Sequence, residues 1–381
     1  MKSIVIIGTG LAGYNLAKEF RKLNTEIPLH LITSDDGRFY YKPMLSSALT
    51  NGKTPGTLVT ASAEQMSEQL NATIQSDSIV TAINIDAQHV IVDGDIVSYG
   101  KLILALGAAP IHLPMYGDAA SEILFVNNLN DYSRFRRAIV KAMHVAIIGP
   151  GLIGCEFAND LINAGKHVTV IGPDAAPLGR LLPSEAGAVL RDALAGIGIE
   201  WRLGVVADEM IFNNNCYRLR LSDGTYIDAD VVLSAVGLRP NIQLAKQAGL
   251  KINRGIVVDR MLETSATGVY ALGDCMEVEG LVLPFVMPIM HCARALAKTL
   301  AGNPTKLHYP AMPVVVKTPA HPVIVSPPPV NVAGHWQITR LNGGVRAEFR
   351  DGNNQLQGFA LTGSATADQQ MLTKELPPLL P

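Results

Sequence analysis

Two glycine triplets are placed to do chemistry through the backbone. Gly8, Gly10 and Gly13 follow the apolar run from Ile4 to Ile7, and Gly149, Gly151 and Gly154 follow the run from Val145 to Ile148. In the spacing G-x-G-x-x-G the first glycine makes a tight turn. The second lets the backbone approach a pyrophosphate, and the third lets the following helix pack on the strand. A diphosphate then rests on free amides at the positive end of a helix. Thr9, Leu11 and Ala12 complete the first cradle, and Leu152 and Ile153 the second. A purely structural glycine turn is the alternative. It needs neither the strand before, the helix after, nor an acid about twenty residues on that can accept from a ribose. The first unit has all three, its acid being Asp35 or Asp36 behind Ser34.

In the second unit the strand ends Ile171-Gly172-Pro173-Asp174, which displaces the acid by about two positions. Glu156 follows directly behind its third glycine. No Arg or Lys lies between that strand end and Arg180, so the extra phosphate of NADP is poorly matched and NADH is favoured. Two dinucleotide sites in one chain imply two different dinucleotides meeting, one retained and one exchanged. A flavin and a nicotinamide are the chemically sensible pair, because hydride passes between them and the flavin releases electrons singly.

These turns require strands and helices to hold them. Ile4 to Ile7, a turn, the periodic segment Leu11 to Lys22 and the apolar Leu29 to Thr33 form a strand, helix, strand unit. Val145 to Ile148, Leu152 to Ala164 and His167 to Ile171 repeat it, a duplication at the scale of a domain. "VSYGKLILALGAAP" (97–110) and "IDADVVLSAVGLRPN" (227–241) each run from a turn through an apolar strand to Gly and Pro, as expected where a chain crosses between domains. Near the end, "VVVKTPAHPVIVSPPP" (314–329) and "VRAEFRDGNNQLQGFALTG" (345–363) predict strands, with a turn at Asp351 to Asn354.

With 381 residues the chain exceeds a single core and predicts two or three domains. A net charge of −2 and 17% charged residues exclude a polyanion-binding surface. Nucleic acid is therefore not an expected partner. Cys155, Cys216, Cys275 and Cys292 are spread singly. They predict no disulfide framework or thiolate metal site, and they fit a reducing cytoplasm. The start, Met1-Lys2-Ser3, leads straight into a strand and predicts no signal peptide. The apolar stretch from Leu281 to Met290 is short and broken by Pro284 and Pro288, so no membrane span is expected. His144, His291 and His321 lack metal-ligand spacing, and no G-x-S-x-G follows a strand.

A third segment, "TSATGVYALGDC" (264–275), is a polar turn and a short strand ending in Gly-Asp. It resembles the T-x-x-x-(x)-[IV]-[YF]-A-x-G-D pattern of FAD/NAD-linked reductases with the glutathione-reductase-like fold. The resemblance implies an α/β protein with two Rossmann-like dinucleotide-binding domains and a small α+β C-terminal domain. The FAD domain would be discontinuous, residues 1–110 and 242–316, with the NAD domain, 111–241, inserted in it and the C-terminal domain at 317–381. Disulfide-reducing members carry Cys after the first unit. Here "GRFYYKPMLSSAL" (37–49) has none, which argues against disulfide reduction. That tract, "LPFVMPIMHCARALAKTLAGNP" (283–304) and the 314–329 segment look closely like rubredoxin reductases, NADH-dependent flavoproteins that supply rubredoxin in alkane hydroxylation.

The resemblance implies that FAD is tightly bound and NADH is the substrate. Lys42 and Glu156 would form an ion pair beside the flavin N5, Asp274 would reach the ribityl chain, and Val286 would meet the flavin through its backbone, just before a helix starting near Pro288. Lys317 would be a further contact and Val80 would touch adenine. An exposed strand lysine and an ordinary core valine are the plain alternatives for these last two. The partner implied is rubredoxin, with a monomeric enzyme. Alternatives are a ferredoxin or flavorubredoxin reductase of the same family, an NADH oxidase, or an FAD-binding signalling protein with slow chemistry.

Overall fold

The structure, a computed structural model, describes residues 3–381; Met1 and Lys2, on which the leader expectation partly rests, lie outside the described residues. Its frame is a pair of parallel sheets. In the first, the order is Val269–Ala271, Lys101–Leu104, Ile4–Ile7, Leu29–Ile32 and Ala72–Gln75, every pairing parallel. Parallel strands are covered on both faces and so read as continuous apolar runs; Ile4–Ile7 is buried at every residue. In the second sheet the order is Ile199–Leu203, His167–Gly172, His144–Ile148 and Val231–Ser234, again all parallel. Each parallel sheet is accompanied by a three-stranded antiparallel meander, Val80–Asn84 to Asp95–Ser98 in one half and Ala207–Asn213 to Tyr226–Ala229 in the other.

The chain passes between the two parallel sheets through a short antiparallel ribbon, Ala108–Pro110 against Leu238–Pro240. The return explains why the first sheet contains a strand from near residue 270. Helix Val286–Leu300, also from the returning chain, packs along helix Leu11–Arg21.

The C-terminal part is a five-stranded antiparallel sheet in the order Val314–Val316, Val323–Ser326, Leu356–Gly363, Gly344–Asp351 and Gly334–Leu341, followed by helix Gln369–Glu375. The expected turn joins Gly344–Asp351 to Leu356–Gly363, with Asn354 at φ 62°. Strand Val314–Val316 forms one edge of this sheet, and Lys317 follows it directly. One hydrophobic cluster joins Leu45 and Ala48, helix residues Phe157 and Ala158, and Val316, Val323 and Ala360. Three parts of the chain therefore share a core at the junction where the functional side chains lie.

Candidate functional site at the junction of the two sheets

Both glycine turns have the same construction. Gly8 and Gly149 take φ +110° and +115°, and an added Cβ would lie 2.3 Å from the Ala105 carbonyl oxygen and 2.7 Å from that of Ala235. A Cβ on Gly13 or Gly154 would fall 1.9 Å from the carbonyl oxygen of Gly8 or Gly149, so helix packs on turn only without a side chain. Gly10 and Gly151 differ, because a Cβ there meets nothing within 4 Å. They cap helices Leu11–Arg21 and Leu152–Asn163 with no side-chain cap and no acid in the first turn. The space a Cβ would fill and the uncapped positive helix ends match a dinucleotide diphosphate.

Asp36 is committed to Arg38, accepting from its backbone N at 3.1 Å and its Nε at 2.7 Å. Burial would raise the Asp36 carboxyl, but the Arg38 hydrogen bonds and charge outweigh it and hold it low. Asp35 accepts from the Asp36 amide and, at 3.4 Å, from Asn130 Nδ2, and burial raises its carboxyl. Asp35 is thus the freer acceptor of the two, and Ser34 beside it is exposed. The segment 264–275 comes to the first turn as a wedge. Gly273, at φ +81°, lies so near helix Leu11–Arg21 that a Cβ would sit 2.7 Å from the Ala12 Cβ. Asp274 is carried there with it, its carboxyl raised by burial against the lowering influence of Lys42.

The ion pair expected between Lys42 and Glu156 does not form. Lys42 opens the 3-10 turn Lys42–Ser47, and its ammonium donates instead to Asn127 Oδ1 at 2.7 Å. Burial pulls this ammonium below its ordinary value, and Asp274 and Asp131 offset that only in part. Glu156, 1% exposed, is paired with Lys317: Nζ donates to Oε2 at 2.6 Å and the Lys317 backbone N to Oε1 at 2.9 Å. The Lys317 ammonium also donates to the Pro43 carbonyl at 2.7 Å and to Ser46 Oγ at 2.9 Å, while Ser46 donates to Glu156. The strand-lysine alternative for Lys317 therefore fails. Two charges with three such acceptors satisfy the condition for burying an ion pair.

Glu156 is one of a polar stripe on helix Leu152–Asn163 at helical spacing. Asn159 Oδ1 accepts from the Ala320 amide at 3.2 Å, Asp160 accepts from the amides of Leu49 and Thr50, and Asn163 donates to Thr50 Oγ1 at 3.3 Å. The helix that begins at the second glycine turn thus grips residues 46–50 on one side and 317–320 on the other. Sequence reasoning missed Asn127, Ser46, Asn159 and Asp160; three polar residues buried in one turn pattern among apolar neighbours was the available signal for the helix.

Two further placements differ from expectation or refine it. Helix Val286–Leu300 begins at Val286, capped by Phe285, two residues ahead of the start set near Pro288. Proline at the third position of a helix costs no internal hydrogen bond, so the helix continues back through it. Val80 opens strand Val80–Asn84 and packs against the first core. Burial raises the thiols of Cys155, Cys275 and Cys292 to about 12, and all four cysteines are free, so no thiolate nucleophile stands at the junction.

The family model for pyridine nucleotide-disulphide oxidoreductases matches residues 2–298. The chain belongs to this family. A model of the rubredoxin binding C-terminal domain matches residues 306–376. The chain is 47% identical to the rubredoxin-NAD(+) reductase of Alcanivorax borkumensis, covering 100% of both, and 46% identical to that of Acinetobacter baylyi, covering 100% of this chain and 99% of the relative. The crystal structure of a ferredoxin reductase from Rhodopseudomonas palustris is similar with a TM-score of 0.89 at 25% identity, over 99% of this chain and 96% of the other. Within this oxidoreductase family the chain keeps the two dinucleotide cradles but has no cysteine pair after the first unit. Among the described residues no helix is long and apolar enough to cross a membrane.

Proposed function

We propose that the protein is an NADH-dependent flavoprotein reductase that passes electrons from NADH through FAD to rubredoxin, as in the electron supply for alkane hydroxylation. The observation that carries the reading is the duplication of an open, uncapped glycine cradle on two parallel sheets, with Lys42, Asp274 and the Glu156–Lys317 pair between them. The full-length likeness to rubredoxin-NAD(+) reductases and the match at residues 306–376 favour rubredoxin over other acceptors.

FAD, when bound, supplies acceptance of a hydride and its return as single electrons. The protein holds it in place. Amides of the first turn at Gly8, Thr9, Gly10, Leu11, Ala12 and Gly13 bind its diphosphate, Ser34 and Asp35 its adenosine ribose, and Asp274 its ribityl chain. Val80 packs at the adenine end. Val286, at the N-terminus of its helix, offers backbone amides where negative charge develops, and Lys42 sets a positive charge in the same region. The second turn, Gly149, Gly151, Leu152, Ile153 and Gly154, binds NADH, and Glu156 and Lys317 fix the wall that both ligands meet. No protein acid, base or nucleophile is needed, since the chain supplies position and field. We also place the protein in the cytoplasm as a monomer, where its free thiols stay reduced.

The purified protein will show flavin absorbance. Anaerobic NADH will bleach it within seconds and reduce added oxidised rubredoxin, with NADPH far slower. A preparation that stays colourless after incubation with FAD overturns the reading. Rapid oxygen consumption without any carrier would instead make it an oxidase. Because a methyl on Gly151 has room in the protein but projects into the cradle, Gly151→Ala will raise the KM for NADH roughly tenfold, about 1.4 kcal/mol, with the flavin content unchanged. Steady-state kinetics and the visible spectrum check both halves.

A further inference from the structure

Lys42 carries a flexible stem, and holding its ammonium at one point costs conformational entropy unless another element fixes it. Asn127 is built to do so. Its Oδ1 accepts from Lys42 at 2.7 Å, its Nδ2 donates to the Ala108 carbonyl at 2.8 Å in the crossing ribbon, and its backbone N donates to Asp131 Oδ2 at 3.1 Å. Turning the amide over would set its NH2 against an ammonium and its oxygen against a carbonyl, so the partners fix one orientation. The residues around it pin the same strap to the first domain: Asn128 caps helix Leu129–Ala138, the Leu129 amide donates to Tyr40 Oη at 3.1 Å, and Asn130 reaches Asp35.

The kind of partner matters as much as the distance. A carboxylate at this position would neutralise Lys42, and the one carboxylate expected there, Glu156, is committed to Lys317 and Ser46. The charges acting on Lys42 are those of Asp274 and Asp131. A neutral carbonyl oxygen holds the ammonium without cancelling its charge.

We propose that Asn127 is the positioning residue for Lys42, a neutral anchor that aims the lysine's positive charge at the bound flavin without adding a further carboxylate beside it. The proposal rests on the flavoprotein reading above. It is tested by a double-mutant cycle on the flavin-loaded full-length protein, reading both the rate of bleaching by NADH and the flavin midpoint potential against reference dyes. Asn127→Ala slows bleaching about tenfold and lowers the ratio of reduced to oxidised flavin about tenfold at a given potential, about 30 mV for a two-electron couple. In a Lys42→Met chain the same substitution changes neither, because the residue acts through Lys42. Asn127→Asp keeps the volume and the acceptor oxygen, yet it lowers the potential by a similar amount, because its charge cancels that of Lys42. Equal effects of Asn127→Ala with and without Lys42 mean that Asn127 only holds the ribbon, which overturns the proposal and leaves the flavoprotein reading standing. An unchanged potential in Asn127→Asp overturns it too, even where the alanine variant does not fold. A wild-type protein that takes up no flavin removes both.

Discussion

In the Lys317→Met variant, the C-terminal sheet opens more readily from helix Leu152–Asn163 by about 3 kcal/mol, the low end of the cost of removing one partner from a buried pair. The low end applies because the Lys317 side chain is 34% exposed while that of Glu156 is 1% exposed. Methionine keeps the length and the apolar stem but removes the cation paired with Glu156. The carboxylate is left with Ser46 Oγ and the residue-317 amide, in a place water does not reach. Glu156→Gln is milder, about 1 to 2 kcal/mol. There the stranded group is the Lys317 ammonium, which keeps Pro43 O and Ser46 Oγ and can reach solvent. The two substitutions share one network, so their combination costs less than their sum by more than about 0.5 kcal/mol. Native-state hydrogen exchange reads this locally: amides of Val314–Val316 and Val323–Ser326 lose protection while those of Ile4–Ile7 do not. Unaltered exchange in the C-terminal strands of Lys317→Met would refute the role of the pair as a clasp.

The same pair shows where sequence reasoning stops. The glycine cradles were legible because each is local: strand, turn and helix lie within about twenty residues, and the steric demand on Gly8 or Gly154 is set by its own neighbours. Asp274 was legible only because a short pattern marks the strand end that carries it; the close approach of the preceding Gly273 to Ala12, far away in sequence, shows only in the fold. The partner of Glu156 had no such mark. Lys42 and Lys317 were both expected near the flavin, and which of them pairs with Glu156 depends on how strand Val314–Val316 docks against a helix more than 150 residues earlier. Local patterning carries no information about that register. Asn127 was invisible for a related reason. It stands in an irregular segment just before helix Leu129–Ala138, and its amide gains meaning only from the Ala108 carbonyl and the Lys42 ammonium brought to it by other parts of the fold. The helix expected near Pro288 starts two residues earlier, at Val286, because the free first-turn amides let a proline stand at the third helical position.

Replacing Lys42 by methionine separates stability from chemistry. Burial lowers the Lys42 ammonium from its ordinary value, so between that depressed value and the ordinary one the folded chain binds fewer protons than the unfolded chain. Stability therefore rises with pH across that window, and below it the buried ammonium is a net cost to folding. Lys42→Met removes this cost: the apoprotein at neutral pH will be as stable as the wild type or more so, with FAD still retained through the first cradle and Asp274. Reduction by NADH will nevertheless slow about a hundredfold, the scale seen when one preorganised charge or donor is withdrawn from a site where negative charge develops. In the wild type the bleaching rate will fall as pH rises through the depressed Lys42 value, and in the variant that limb will be missing. Stopped-flow absorbance across pH, set beside thermal unfolding of the apoprotein, measures both sides. A wild-type bleaching rate in the methionine variant would show that the ammonium fixed by Asn127 plays no part in electron entry, whatever its position beside Asp274.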